Sequence, residues 1–104
     1  MPIMNPNEIK IMDIQNVCIG CVIAPTIAKK VIFGTFLPTQ HYKKYEKLFS
    51  DLEQAANNLL FTHADQLERQ IKDLSFYAKT SNNKIISIEN LQIMENQIVF
   101  TIKQ

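Results

Sequence analysis

From Thr39 to its last residue the chain contains neither glycine nor proline. Both glycines, Gly20 and Gly34, and all four prolines come earlier. Glycine accepts positive φ without a steric penalty and lets backbone approach a ligand closely. Phosphate-cradling loops and nucleophile elbows depend on such positions. Two-thirds of the chain therefore lacks the usual material for these loops. It reads as regular elements joined by short Asn/Ser turns, which argues against most enzyme classes.

A length of 104 residues fits one domain. With 46% apolar and 20% charged residues, the chain has enough for one core and is not disordered. Met1–Asn7, with Pro2 and Pro6, reads as a loose arm. A net charge of +1 and a single arginine, Arg69, argue against nucleic acid as a partner, because backbone phosphates select basic, arginine-bearing surfaces. The opening residues lack an apolar signal core. The longest uncharged run, Ile14 to Ala28, is too short to span a bilayer. The two cysteines are then expected to be reduced, in cytoplasm.

The order of elements is expected to be ββ-αα-ββ. Glu8 to Ala24 is rich in β-prone residues, with Asn16 or Gly20 marking a bulge or bend. Pro25-Thr26 reads as a turn, and KVIFGTFL, Lys30 to Leu37, as a second strand with apolar groups on both faces. Pro38-Thr39 opens the helical half. Tyr45, Leu48, Leu52, Ala55, Ala56 and Leu59 recur at helical spacing, and Leu67, Ile71, Leu74 and Ala78 continue it. Thr62-His63-Ala64-Asp65 matches a loose capping box and suggests a second helix start. One bent helix from Thr39 to Lys79 is the alternative. Asp65–Arg69 and Glu68–Lys72 are spaced for acid-first i,i+4 pairs, each worth roughly a few tenths of a kcal/mol. After the Thr80–Asn83 turn, Lys84 to Met94 reads as a strand kinked at Glu89-Asn90. Glu95-Asn96 makes a hairpin turn, and Gln97 to Lys103 returns with Ile98, Phe100 and Ile102 inward. The expected fold class is α+β: an antiparallel sheet of about four strands, with two helices or one bent helix packed on one face.

Cys18-Ile19-Gly20-Cys21 is the one motif that invites a mechanism. A redox CxxC sits at a helix start, and none follows here. A zinc half-site needs two further ligands, and His41 and His63 lack paired spacing. On a regular strand the two cysteines point to opposite faces, so the simplest role for both thiols is packing. His63 continues the helical stripe and reads as a packing or capping residue rather than a base. His41, Lys43, Lys44 and Lys47 surround Tyr42 and Tyr45. Three lysines near a helix N-terminus oppose the macrodipole, and a broken local rule points to a partner surface. The acids form no catalytic dyad. Phe49, Leu60, Phe61, Phe76 and Tyr77 fall partly off the main stripes and mark either a second packed face or an exposed patch.

The element order, the segment YKKYEKLFSDLEQAANN (Tyr42–Asn58) and the closing IENLQIMENQIVFTI (Ile88–Ile102) resemble small bacterial immunity proteins of contact-dependent and other polymorphic toxin systems. The resemblance is one of size and pattern over Ile9 to Ile102. It implies a cytoplasmic, non-enzymatic inhibitor without a cofactor that covers the active site of a cognate toxin domain. Such proteins are commonly acidic when their targets bind nucleic acid, and the +1 charge departs from that. Candidate contacts are His41, Lys43, Lys44, Lys47, Asp51, Glu53, Asp65 and Glu68. Alternatives of other classes are a structural homodimer or assembly subunit using strand edges or an apolar face, and a small thiol or metal protein using Cys18 and Cys21.

Overall fold

A computed structural model describes residues 8–103, so the expected N-terminal arm lies outside the described residues. Six strands, β1 Ile9–Met12, β2 Cys18–Ala28, β3 Val31–Pro38, β4 Tyr77–Thr80, β5 Ile85–Met94 and β6 Gln97–Ile102, form an antiparallel barrel in the order β1-β2-β3-β6-β5-β4. It closes because β1 pairs with both β2 and β4. Between β3 and β4 the chain makes a one-turn 3-10 helix, Gln40–Tyr42, and two helices, α1 Lys43–Asn57 and α2 Phe61–Asp73. This corrects the expected open sheet of four strands with helices on one face.

Two local events account for the difference. At the start, Asp13 to Val17 is a tight loop rather than continuous strand. Asp13 N–H donates to the Val17 carbonyl at 2.9 Å, and Asn16 takes a φ of 63°. The long β-prone stretch is therefore a hairpin. At the far end, the helical spacing of Leu74 and Ala78 is a coincidence. Helix α2 stops at Asp73, Ser75 turns left-handed at φ 59°, Phe76 enters the core and Tyr77 begins β4. Pro25, expected in a turn, sits inside β2 where the register with β3 shifts beside Ala24 at φ 51°. A residue without an N–H is tolerated at such a bulge. The hairpin turn falls instead at Lys29-Lys30.

Other expectations hold. The helices are two. The β5 register slips between Glu89 and Gln92 around Asn90 at φ 56°. Glu95-Asn96 joins β5 to β6, with Met94 opposite Gln97. Ile98 and Phe100 are buried, whereas Ile102 is only partly covered.

The glycine-free half contains left-handed turns all the same. Leu59, Ser75, Asn83, Asn90 and Glu95 all have positive φ, and neither glycine does. Leu59 shows how this arises. Helix α1 ends with Leu59 N–H donating to the Ala56 carbonyl at 3.1 Å and Leu60 N–H donating to Ala55 at 2.8 Å. This is the two-bond Schellman closure, which places its left-handed residue where glycine usually stands. Helix α2 has no side-chain N-cap. It starts at Phe61 directly after the closure, so the Thr62–Asp65 capping box does not form. The glycines serve packing. A Cβ on Gly20 would fall 2.3 Å from the Phe36 ring, and one on Gly34 would fall 2.9 Å from Val22.

Inward residues of all six strands share one core cluster with Phe49, Leu52 and Ala55 of α1 and Ala64, Leu67 and Ile71 of α2. A row of rings links the two parts. Phe36 of β3 meets Tyr42 edge-on at 5.1 Å, Tyr42 meets Phe49 at 6.0 Å, Phe49 meets Phe76 at 5.8 Å, and Phe76 meets Tyr45 at 5.0 Å. Of the residues read as off-stripe, Phe49 and Phe76 are thus core, Tyr77 is half-buried, and Leu60 and Phe61 are exposed.

Two substitutions test these constraints by thermal denaturation. Gly20→Ala is expected to cost about 1–3 kcal/mol, because its Cβ would meet the fully buried Phe36 ring and, at 2.8 Å, the Leu37 carbonyl. Leu59→Gly is expected to raise stability by about 1 kcal/mol, because the side chain is 69% exposed and only its backbone strain is removed.

Candidate surface groove between the helices and strand β5

Helix α1 is positioned by a buried carboxylate that the sequence pattern does not announce. Asp13 is 1% exposed. Its Oδ1 accepts from Gln15 N–H at 2.9 Å and Val17 N–H at 3.0 Å, closing the β1–β2 loop. Its Oδ2 accepts from the Tyr45 hydroxyl at 3.0 Å and lies 3.8 Å from the Lys44 ammonium. One side chain thus ties the first hairpin to the first turn of α1. Burial pushes its pKa upward. The bonds from Val17, Tyr45 and Gln15 and the Lys44 charge outweigh that effect and hold the carboxyl below its ordinary range. The hydroxyl of Tyr45, partnered by this anion, is in turn harder to ionise, through burial first and Asp13 second.

This arrangement changes the reading of the lysines. Lys44 is satisfied by Asp13 and by the Tyr45 ring, 5.3 Å from its ammonium. Lys47 pairs with Asp51 at 2.9 Å, one turn along α1. Two of the three cations that oppose the helix dipole therefore have local partners, and only Lys43 carries the original argument. The expected Asp65–Arg69 and Glu68–Lys72 pairs do not form. Among the described residues the ion pairs are Lys44–Asp13 and Lys47–Asp51.

An open groove runs between the helices and β5. Its widest part, about 460 Å³, is lined by Tyr42, Lys43, Glu46, Lys47, Glu53 and Glu95 among others. A narrower section shares Glu53 and Ile93 with it and continues to Glu68 and Gln92. From there Glu68 and Gln92 lead to Lys72, Asn90 and Leu91. The bend of β5 at Asn90 and the hairpin turn at Glu95 define one wall, and the polar faces of α1 and α2 the other. Glu46, Glu53, Glu68 and Glu95 make no ion pair, and Lys47 is already held by Asp51. Lys43 and Lys72 are the remaining cations, so acid is in excess along the groove. Tyr42 registers this field. Its phenol is pushed up to about 12 by burial and then by Glu46 and Glu53.

No protein-family model, curated protein or solved structure matches this chain.

Of the expected contacts, the groove brings together Lys43, Lys47, Glu53 and Glu68. His41 lies in the 3-10 turn, exposed, with its N–H on Thr39 Oγ1 at 3.2 Å. Lys44 and Asp51 are engaged elsewhere, and Asp65 is exposed on α2 without lining the groove. Sequence reasoning missed Glu46, Lys72, Gln92 and Glu95. Glu46 and Lys72 were legible as polar positions of their helices. Gln92 and Glu95 face them only because β5 bends back across α1 and α2, which spacing along one element does not reveal.

The two cysteines are not on opposite faces as a regular strand requires. Met12 pairs with Cys18 while Ile11 pairs with Gly20, so Ile19 is an inserted bulge residue and the alternation breaks. Both cysteines are free and partly exposed rather than core. The Cys21 thiol interacts with Cys18 and with Glu8. Its pKa is pushed up to about 11 by burial first, then by these neighbours. A reactive thiol is shifted the other way. Cys18 Sγ–H donates to the Gly20 carbonyl at 3.3 Å. Among the described residues no group of three or more His, Cys, Asp or Glu is arranged to hold a metal.

The Asp13 contacts predict an acid-sensitive fold. A carboxyl whose folded pKa lies below its unfolded value stabilises the protein fully above the ordinary value of 3.8 and loses that contribution as pH falls through the folded pKa. Denaturation curves in this acid range are expected to show a decline for the wild type that is smaller in Asp13→Asn. Asp13→Ala, which strands the Tyr45 hydroxyl and two N–H groups, is expected to cost about 3 kcal/mol at neutral pH.

Proposed function

We propose that the chain is a non-enzymatic protein-binding domain whose groove takes a basic segment of a partner. Its most specific form is an immunity or antitoxin protein that covers a cognate bacterial toxin domain. The observation that carries this reading is the set of four carboxylates, Glu46, Glu53, Glu68 and Glu95, left without ion pairs along one groove. Unpaired charges of one sign steer a partner of the other sign and discriminate against wrong ones. The net charge of +1 hides this local excess. A toxin that acts on nucleic acid presents a basic surface, and the groove is the complementary one. Met94, exposed beside the narrower section, offers an uncharged contact of the kind affinity requires. Among the described residues no helix is long and apolar enough to cross a membrane.

The test is co-expression with the product of the adjacent gene. Co-purification and rescue of growth are the expected outcome. Glu53→Lys with Glu68→Lys is expected to weaken the complex by roughly 10- to 100-fold in a binding titration, mostly through slower association and greater salt sensitivity. The absence of both co-purification and rescue would overturn the proposal. Full affinity in the double variant would remove the groove from it.

A further inference from the structure

The outer wall of the barrel formed by β2, β3 and β6 carries no charge within its strands. The segments Cys18–Ala28, Val31–Pro38 and Gln97–Ile102 contain no Asp, Glu, Lys, Arg or His. Inward Ile32, Phe36, Ile98 and Phe100 place Val31, Phe33, Thr35 and Leu37 of β3 and Gln97, Val99 and Thr101 of β6 on the outside. Phe33 is 44% exposed and Leu37 54%. Beside Phe33 lies a shallow hollow of about 240 Å³, bordered by Thr35, Met94, Gln97 and Val99.

The wall is polar along its length. The β2–β3 turn puts Lys29 and Lys30 at one end, and Lys103 follows β6 at that same end, where Val31 pairs with Thr101. The β5–β6 turn puts Glu95 at the other end, where Thr35 pairs with Gln97 and Phe36 N–H donates to the Asn96 carbonyl at 2.6 Å. A two-fold axis lying in the plane of the wall and perpendicular to its strands, near Phe33 and Val99, turns the lysine end of one copy over the glutamate end of the other. It also lays the Phe33 ring of each copy toward the hollow of its mate.

We propose that this wall is the contact of a symmetric dimer, its occupant a second copy of the chain. Three arguments converge. Like meets like across a two-fold axis, so a charge-free centre is compatible with itself. The unlike charges at its two ends become partners only in the antiparallel arrangement. A projecting ring adjacent to a hollow is complementary to its own copy. The closed barrel removes the alternative of pairing strand edges, since every strand has two neighbours. Three strands about 4.8 Å apart and some seven residues long at about 3.3 Å each span roughly 14 by 23 Å. A patch of this size falls below the standard interface class, so self-association is weak and is sought from about 0.1 mM upward. The wall and the groove share Glu95 and Met94 at their common border, and Phe33→Lys and Lys30→Glu, which lie outside the groove lining, separate this proposal from the groove reading.

Sedimentation equilibrium of the chain alone, up to about ten times that concentration, tests it. A reversible rise in mass that stops at the dimer is expected. Phe33→Lys, with circular dichroism and melting temperature confirming its fold, is expected to remain monomeric. Lys30→Glu and Glu95→Lys are each expected to weaken self-association about fivefold, and the two together to restore it. This charge exchange does not depend on how Phe33→Lys folds. A monomer throughout would overturn the proposal. So would mass growing beyond the dimer, dimerisation unchanged in folded Phe33→Lys, or a double charge variant no better than either single one.

Discussion

The rings of Phe36, Tyr42, Phe49, Phe76 and Tyr45 are the constraint on which the rest of the molecule hangs. The inward side chains of the six strands and the apolar faces of the two helices form one continuous core. Phe36 projects from the barrel wall, Tyr42 and Phe49 come from the helical insert, and Phe76 comes from the residue that leads back into the barrel. Edge-on and tilted pairs of this kind are worth about 0.5–1.5 kcal/mol each beyond their area. They also fix orientation, which is their larger effect here. The close fit of Gly20 against Phe36 belongs to the same arrangement, because the ring lies where a side chain at position 20 would stand.

Asp13 does at the surface of this assembly what the rings do inside it. The carboxylate closes a loop at one end of the barrel and receives a hydroxyl and an ammonium from α1. The face of α1 that lines the groove is therefore set from two directions, by rings beneath and by a charged hydrogen bond at its start. That fixed geometry holds Lys43, Glu46 and Glu53 in one row against Glu95.

Much of the secondary structure could be read from the chain. The period of Leu48, Leu52 and Ala55, the alternation of Ile98, Phe100 and Ile102, the kink near Asn90 and the Glu95-Asn96 turn are local signals, and each appears where its local chemistry places it. Closure was not legible. It depends on four residues of β1 reaching Tyr77–Thr80, a pairing across most of the chain, and on a loop whose organiser, Asp13, looks like any surface acid in a β-prone run. The absence of glycine after Thr39 pointed correctly to regular elements joined by Asn- and Ser-containing turns. It misled on conformation, since hydrogen-bonded helix ends and hairpins impose left-handed backbone on Leu59, Ser75 and Glu95 regardless of their preference. Half of the expected contact residues meet in the groove because helical spacing is reliable. Their counterparts on β5 and the β5–β6 turn come from a bend that no single segment encodes.

Closure through β1 also sets an order in time. The two helices, the β2–β3 hairpin and the β5–β6 hairpin are built from near neighbours and form early. The pairing of Ile9 with Thr80 spans nearly the whole described chain and carries the loop-closure cost of that distance. The pairing of Val31 with Thr101 spans a similar length, so the β1–β4 and β3–β6 seams are both expected to form after the local hairpins. In the interval the Ile9–Met12 and Tyr77–Thr80 strands are bare edges, and this short-lived state is the one in which newly made chains are most exposed to pairing with each other.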